Sequence, residues 1–348
     1  MGTPSGPEAQ LAAAAGLEFV SISAAGFDRA RPLTLATSSA KLLRGLGQAR
    51  SVLQQWTSVG TPCAAVCFGG YVSIPAGLAA SLSGIPLIIH EQNAHMGMTN
   101  RFLARRASLI ALTYPTTAGL PRVDKLRHPT ADSEFIGNPV RSCILAGDAA
   151  RGRAALGIAA DAKVLLVFGG SRGARAINQA IVAAAETLLT LQPNLHIVHS
   201  TGPLEYDRVR EDLARRLAES DLLSRYHALD YIDDMGDVLA ASDLVVARAG
   251  ATSIAELTAL GKPSVLVPYP FATDDHQTLN AKALLALGGA RLVKNDQLQL
   301  PLFADTVVEL LADDALRGTM AQQAATLGKP DAAAKLADKV MAQAKPLE

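Results

Sequence analysis

The sequence predicts an α/β protein built from two doubly wound, parallel-sheet units, and three observations carry that prediction. Short apolar runs alternate with helix-like segments from Ala64 onward, several runs end in glycine turns, and the alternation starts afresh at Lys163–Phe168 after Gly137-Asn138-Pro139. A strand buried on both faces needs an unbroken apolar stretch, so this pattern belongs to sheets covered by helices on either side. At roughly 150 residues per domain, 348 residues exceed one ordinary core, and two units are expected.

The first half opens with Met1–Pro7, which reads as a loop, and Leu17–Ile22 reads as a strand. Ala64–Phe68 is the next strand, ending at Gly69-Gly70 ahead of a helical stretch to Leu82. A strand at Pro86–His90, a helix at Thr99–Arg106 and a strand at Leu109–Leu112 follow. A doubly wound half normally begins with a strand and a phosphate-binding turn. One βα unit is therefore expected ahead of Met1, with the first domain truncated at its N-terminus.

Phe135–Arg141 reads as a linker because Gly137, Asn138 and Pro139 punctuate regular structure. Beyond it, strands are expected at Lys163–Phe168, Leu195–Ser200, Leu244–Ala247 and Ser264–Val267. Between and after them, Ala176–Leu191, Tyr206–Leu217, Thr252–Leu260 and Thr278–Leu287 carry apolar residues at helical spacing. The tail Ala315–Ala344 is helical in pattern with a break at Gly328–Pro330. The expected domains are 1–137, 138–325, and a terminal helix in 326–348 that returns to the first domain.

Composition excludes several classes of function. Lys+Arg and Asp+Glu both number 32, which removes the positive field that nucleic-acid binding exploits. Cys63, Cys67 and Cys143 form no paired framework and lack zinc-site spacing, so buried, reduced thiols are expected. The apolar run Gly77–Ile89 is short and interrupted by Ser81, Ser83, Gly84 and Pro86, so no spanning helix is expected. Met1–Pro7 has no basic start, which leaves no secretory signal and points to the cytosol.

Four polar clusters sit where chemistry is built. Gly169-Gly170-Ser171-Arg172-Gly173-Ala174 follows a buried strand and precedes a helix, so backbone N–H groups would converge on an anion such as a diphosphate. An unliganded tight turn fits the same residues; the Ser171 hydroxyl favours the phosphate. Arg248-Ala249-Gly250-Ala251-Thr252 repeats the design, with Thr252 or Ser253 as a helix cap and Glu256 in the first turns. Glu256 suits either the helix dipole or two ribose hydroxyls, and the residues alone favour the dipole. Asp274-Asp275-His276-Gln277 suits sugar hydroxyls at a strand's carboxyl edge, or a solvated turn; no third ligand supports a metal there. His90-Glu91-Gln92-Asn93 places four hydrogen-bonding side chains directly after an apolar strand, which favours a site.

Taken together, these strings resemble the lipid II-forming N-acetylglucosaminyltransferase family (MurG), whose members have the two-domain GT-B fold. FGGYVSIPAGLAA from Phe68, IPLIIHEQNAHMGMTNRFLAR from Ile85 and IGNPVR from Ile136 resemble its first domain. GGSRGARAIN from Gly169, YIDDM from Tyr231, RAGATSIAEL from Arg248 and DHQTLNA from Asp275 resemble its second. The resemblance spans essentially the whole chain in order. Arg172 stands where the family often has glutamine, and Ala94–Met96 is a variable stretch.

The resemblance implies two Rossmann-like domains facing a cleft, with UDP-N-acetylglucosamine bound by the second. Ser171 would hold the diphosphate and Ile232 would contact uracil. Ala251, Thr252, Ser253, Ile254, Ala255 and Glu256 would wrap the nucleotide, with Glu256 on its ribose. Gln277 would contact sugar hydroxyls, while Asn93 and Arg141 would complete the donor site. The implied reaction is an inverting displacement that moves N-acetylglucosamine to the 4-hydroxyl of the muramyl unit of lipid I, with no cofactor and no metal. The family's first strand and its GGTGGH-like loop, with a histidine that is a candidate general base, would precede Met1; Glu91 and His90 are the substitutes to test.

An undecaprenyl-linked acceptor implies a peripheral enzyme on the cytoplasmic face of the bacterial plasma membrane. Leu35, Leu42, Leu43 and Leu46 among Lys41, Arg44 and Arg50 suit an interfacial patch, or an ordinary amphipathic helix. Two rivals stand beside this reading: another GT-B nucleotide-sugar transferase, and a donor-binding protein with impaired turnover.

Overall fold

The protein, in the form of a computed structural model, is described at every residue except 5, 7, 26–33, 59, 122–131, 171–172, 219–220 and 345–348, and the side chains of 34–37. Its chain contacts define two units, Met1–Gly137 with Ala333–Glu348, and Asn138–Ala332.

In the first unit, α1 (Glu8–Ala14) and α2 (Thr34–Thr57) precede β1 (Ala65–Cys67), α3 (Ser73–Leu82), β2 (Leu87–Glu91), α4 (Met98–Ala104), β3 (Leu109–Leu112) and β4 (Asp132–Phe135). The strands form a parallel sheet in the order β1-β2-β3-β4. Side chains of β2 alternate between layers, and Leu87 and Ile89 join Leu103 of α4 in one apolar cluster. A second cluster gathers Ile22, Ala49 and Leu53 with Ala79 and Ala80 of α3.

Leu17–Ile22 does not form the expected strand. Only an isolated parallel bridge links Ser21 to Gly2, held by Gly2 N–H donating to the Val20 carbonyl at 3.1 Å and Ile22 N–H to the Gly2 carbonyl at 2.9 Å. Ile22 is buried, so its apolar character reports core packing rather than a ladder.

The second unit begins with α5 (Ser142–Leu145) and α6 (Ala149–Ala155), followed by β5 (Lys163–Phe168), α7 (Arg175–Leu191), β6 (Leu195–Ser200), α8 (Tyr206–Arg216) and β7 (Tyr226–Leu229). It continues through α9 (Met235–Ala241), β8 (Leu244–Ala247), α10 (Ala251–Ala259), β9 (Ser264–Leu266), α11 (His276–Ala286), β10 (Ala290–Leu292), α12 (Pro301–Ala312) and α13 (Asp314–Leu327). The sheet is parallel throughout, in the order β10-β9-β8-β5-β6-β7. Leu165 and Val167 face one apolar layer, whereas Val164, Leu166 and Phe168 face the other. This double burial is why β5 reads as an unbroken apolar run; each fully buried leucine or valine side chain stabilises the fold by ~2 kcal/mol.

The topology itself positions a site. From β5 the chain winds outward through β6 and β7, then returns to β8 on the other side of β5 and winds outward through β9 and β10. The order reverses between β5 and β8, and open α/β sheets bind ligands at the carboxyl ends of such strands, where the two departing loops part.

The tail breaks where the sequence indicated. α13 ends at Gly328, whose position a side chain would contest with the Thr258 carbonyl at 2.4 Å, and α14 (Ala332–Gln343) follows. Residues from Ala333 onward belong to the first unit, where Gln343 meets Ser108 and Lys339 meets Glu134. Cys67 is buried, and burial pushes its thiol up to about 11. Cys143, expected to be buried, is exposed because the short α5 leaves it facing solvent. No helix among the described residues is long and apolar enough to cross a membrane.

Candidate functional site

At the switch point, two glycine-flanked turns lie side by side, because β5 and β8 are hydrogen-bonded neighbours. The first turn must be glycine. A Cβ on Gly169 would lie 2.3 Å from the Ala174 side chain. One on Gly173, whose φ is +72°, would lie 2.0 Å from the Thr201 carbonyl oxygen. The Gly173 N–H closes the turn on the Gly170 carbonyl at 2.9 Å. Ser171, expected to hold a diphosphate, and its neighbour Arg172 lie outside the described residues.

Both helices that leave these turns start without a side-chain cap. The N-caps are Ala174 for α7 and Gly250 for α10. Thr252 and Ser253, expected as caps, are instead within α10, because the extended Gly250 already ends the loop and, as a glycine, offers no side-chain oxygen. The first N–H groups of a helix have no intrahelical partner, so two uncapped helix starts present donors and positive dipole ends to the same crevice.

The string Ala251–Glu256 divides by the helical repeat. Thr252 is exposed, Ala251 and Ser253 are half-buried, and Ile254 and Ala255 are buried in the apolar layer under the sheet. Ile254 N–H already donates to Gly250 at 3.0 Å. Glu256 follows one turn later, with its side chain 8% exposed and 3.4 Å from Nη2 of the exposed Arg141. Burial pushes the Glu256 carboxyl up and the Arg141 charge pulls it down; burial is the larger influence.

A cavity of about 480 Å³ lies between the turns, lined by Gly169, Gly170, Gly173, Gly250, Ser253 and Gln277, with Arg248, Tyr269, Phe271 and Asn295 around it. Its size falls within the ~300–1,000 Å³ typical of small-molecule sites. Gln277 stands in the first turn of α11 and its Oε1 accepts the Tyr269 N–H at 2.8 Å. The preceding Asp274 and Asp275 both adopt positive φ, 53° and 49°, a backbone that aspartate tolerates better than most residues.

Arg248 opens the second polar cluster, but the sequence assigns no role to it or to Tyr269, and both line this cavity. Arg248 Nη1 donates to the Val267 and Pro268 carbonyls at 3.2 and 3.0 Å, and its guanidinium lies 5.6 Å from the centre of the Tyr269 ring. The available signal was an arginine ending the apolar run of β8. Ile232, by contrast, is 5% exposed and packs in the core; any contact with a base there falls to its main chain.

In the first unit, the polar cluster after β2 forms a self-contained network. Glu91, 1% exposed, accepts from the Asn93 N–H at 3.0 Å, the Asn93 amide at 3.3 Å, the Gly97 N–H at 3.0 Å and the Asn100 amide at 2.8 Å. His90 is fully buried, and burial pulls its pKa below the ordinary histidine value. Its Nε2 donates to the Gly137 carbonyl at 2.9 Å, which leaves Nδ1 to accept from the Gln92 amide at 3.2 Å. The cluster therefore fixes the loop that carries Asn93.

Comparison with known proteins agrees with this architecture. Residues 1–112 match the profile of the glycosyltransferase family 28 N-terminal domain and residues 164–336 that of its C-terminal domain. A UDP-N-acetylglucosamine--N-acetylmuramyl-(pentapeptide) pyrophosphoryl-undecaprenol N-acetylglucosamine transferase of Halothermothrix orenii is 37% identical over 95% of this chain and 86% of its own length. Its namesake in Desulforudis audaxviator is 39% identical over 97% and 88%. The crystal structure of Acinetobacter baumannii MurG superposes with a TM-score of 0.75 at 29% identity, covering 98% of this chain and 89% of that one. A UDP-GlcNAc 2-epimerase from Neisseria meningitidis, at 13% identity and a TM-score of 0.66, shares the fold alone. Glycine-ended strands, uncapped helix starts at the switch point and similarity over nearly all of this chain converge, and the chain belongs to the MurG family of glycosyltransferases.

Proposed function

We infer that the protein is an N-acetylglucosaminyltransferase that moves the sugar from UDP-N-acetylglucosamine to the 4-hydroxyl of the muramyl unit of lipid I, with inversion, giving lipid II. The observation that carries this reading is the pair of uncapped helix starts at adjacent strand ends, β5 and β8. As the glycosidic bond breaks, negative charge grows on the diphosphate. Donors already aimed at that place lower the barrier without reorganising.

In this reading the turn Gly169–Ala174, with Ser171, holds the diphosphate. The first turn of α10 (Ala251, Thr252, Ser253) faces the nucleotide while Ile254 and Ala255 anchor the helix. Glu256 accepts the ribose hydroxyls, Gln277 meets the sugar, and the main chain at Ile232 meets uracil. Arg141 completes the charge on the donor. Glu91 and His90 hold the Asn93 loop and do not serve as bases, since their lone pairs are already engaged.

Turnover with a lipid I analogue tests the reading: Gln277→Ala should lower kcat/KM by about 10²-fold, the scale of losing a positioned sugar contact. Transfer to soluble aglycones but not to the lipid-linked acceptor would favour a different acceptor class.

We also propose peripheral attachment to an anionic membrane surface through the first unit. Of the α2 residues and those just before it, Arg31 and the Leu35 side chain lie outside the described residues, and Leu46 packs against the core. Leu42 is half-buried, whereas Leu43 is 69% exposed beside exposed Lys41 and Arg44. On α4, Met98 and Phe102 are exposed, with Arg106 stacked on the Phe102 ring at 5.3 Å. Anionic vesicles should retain the wild type and release Leu43→Glu/Phe102→Glu; equal retention would count against attachment.

A further inference from the structure

Among its described residues, the second unit contains a buried polar chain that the donor reading leaves unused. His199, at 0% exposure in β6, lies between Tyr226 of β7, whose hydroxyl is 2.9 Å from Nδ1, and Asn178 of α7, whose Oδ1 is 3.0 Å from Nε2. The Asn178 amide donates to the Thr201 carbonyl at 2.8 Å. That same carbonyl is the surface on which Gly173 rests, close enough that a Cβ there would lie 2.0 Å away. The chain thus ends against the glycine turn.

Its hydrogen bonds run in one direction only. The Thr201 carbonyl can only accept, so Asn178 presents its NH₂ to it and its Oδ1 to His199. Oδ1 in turn requires a donor, so the His199 proton sits on Nε2. Nδ1 is then an acceptor, which the Tyr226 hydroxyl satisfies. Burial favours the same state, pulling the His199 pKa down to about 3. With a neutral ring and one tautomer, every polar atom along the chain is paired, and reversing any member would leave a buried group unsatisfied.

We propose that Tyr226, His199 and Asn178 are positioning residues for the transferase: a hydrogen-bond relay, locked in the Nε2–H tautomer, that sets the Thr201 carbonyl and through it the glycine turn. The effect on catalysis rests on the reading that this turn holds the donor diphosphate. The effect on the turn itself does not.

The experiment compares His199→Leu, Tyr226→Phe and His199→Gln with Leu188→Ala, a buried apolar change on α7 that removes no hydrogen bond of the relay. Glutamine keeps one donor and one acceptor, and phenylalanine keeps the ring volume. Without ligand, amide exchange of Gly173 and Ala174 should rise about tenfold in His199→Leu, less in Tyr226→Phe, and little in His199→Gln or Leu188→Ala, since losing one buried hydrogen bond corresponds to about one decade. The UDP dissociation constant should follow the same order, and ¹⁵N shifts of the wild-type His199 ring should report Nε2–H. Turn exchange that tracks global stability equally in all four variants, or an Nδ1–H ring, overturns the relay. Exchange that behaves as expected in a protein that binds no UDP keeps the relay and overturns the donor reading.

Discussion

At the residue scale, the chemistry depends on which polar groups are already engaged. Glu91 looks like a candidate base in a string of four polar residues, yet its carboxylate accepts from Asn93, Gly97 and Asn100 inside the first unit. Removing it would orphan the buried Asn100 amide and the part-buried donors of Asn93 and Gly97, so Glu91→Ala should cost ~3 kcal/mol in chemical denaturation. Glu91→Gln keeps one acceptor and should cost less. If Glu91 were the base, Glu91→Gln would abolish turnover at unchanged stability, which separates the two roles. Glu256 is the opposite case: a buried carboxyl paired with the exposed Arg141 and proposed above to accept the ribose hydroxyls.

At the scale of elements, what matters is how closely a turn approaches its neighbours. Gly173 combines positive φ with the Thr201 carbonyl where a Cβ would go. Gly173→Ala should therefore destabilise by ~1–3 kcal/mol and weaken UDP binding more than its stability loss would suggest, read by parallel denaturation and titration. Central strands were legible in the sequence for the same reason they are stable. β5, β6 and β8 lie inside their sheet, buried on both faces, and Lys163–Phe168, Leu195–Ser200 and Leu244–Ala247 are found with the expected bounds. The strands without such a signature, β4, β7 and β10, all lie at the ends of their sheets. Asp132–Phe135 and Ala290–Leu292 are partly exposed and short, so no apolar run marks them. The glycine turns were legible because their steric demand is written in residue type. Arg248 and Tyr269 were not, since their placement depends on the β8–β9 pairing, which brings two distant loops together.

At the scale of the whole molecule, buried titrating groups tie stability to pH. His199 has a folded pKa of about 3, below its ordinary 6.5. The unfolded chain thus takes up a proton first as pH falls. Stability from this group is complete above pH ~6.5 and drains away toward pH ~3, at up to about 1.4 kcal/mol per pH unit. The buried His90 acts in the same direction. Melting temperature should fall more steeply between pH 6.5 and pH ~4 in the wild type than in His199→Gln; identical slopes would mean that His199 titrates normally.

Donor recognition turns on whether the switch point between β5 and β8 holds the nucleotide diphosphate. Amide spectra recorded while UDP-N-acetylglucosamine is added test this most directly. Saturable shifts are expected, concentrated at Gly169–Ala174 and Gly250–Ser253 and strongly weakened in Glu256→Ala. Absent shifts, or shifts centred on the far ends of these strands, would contradict it.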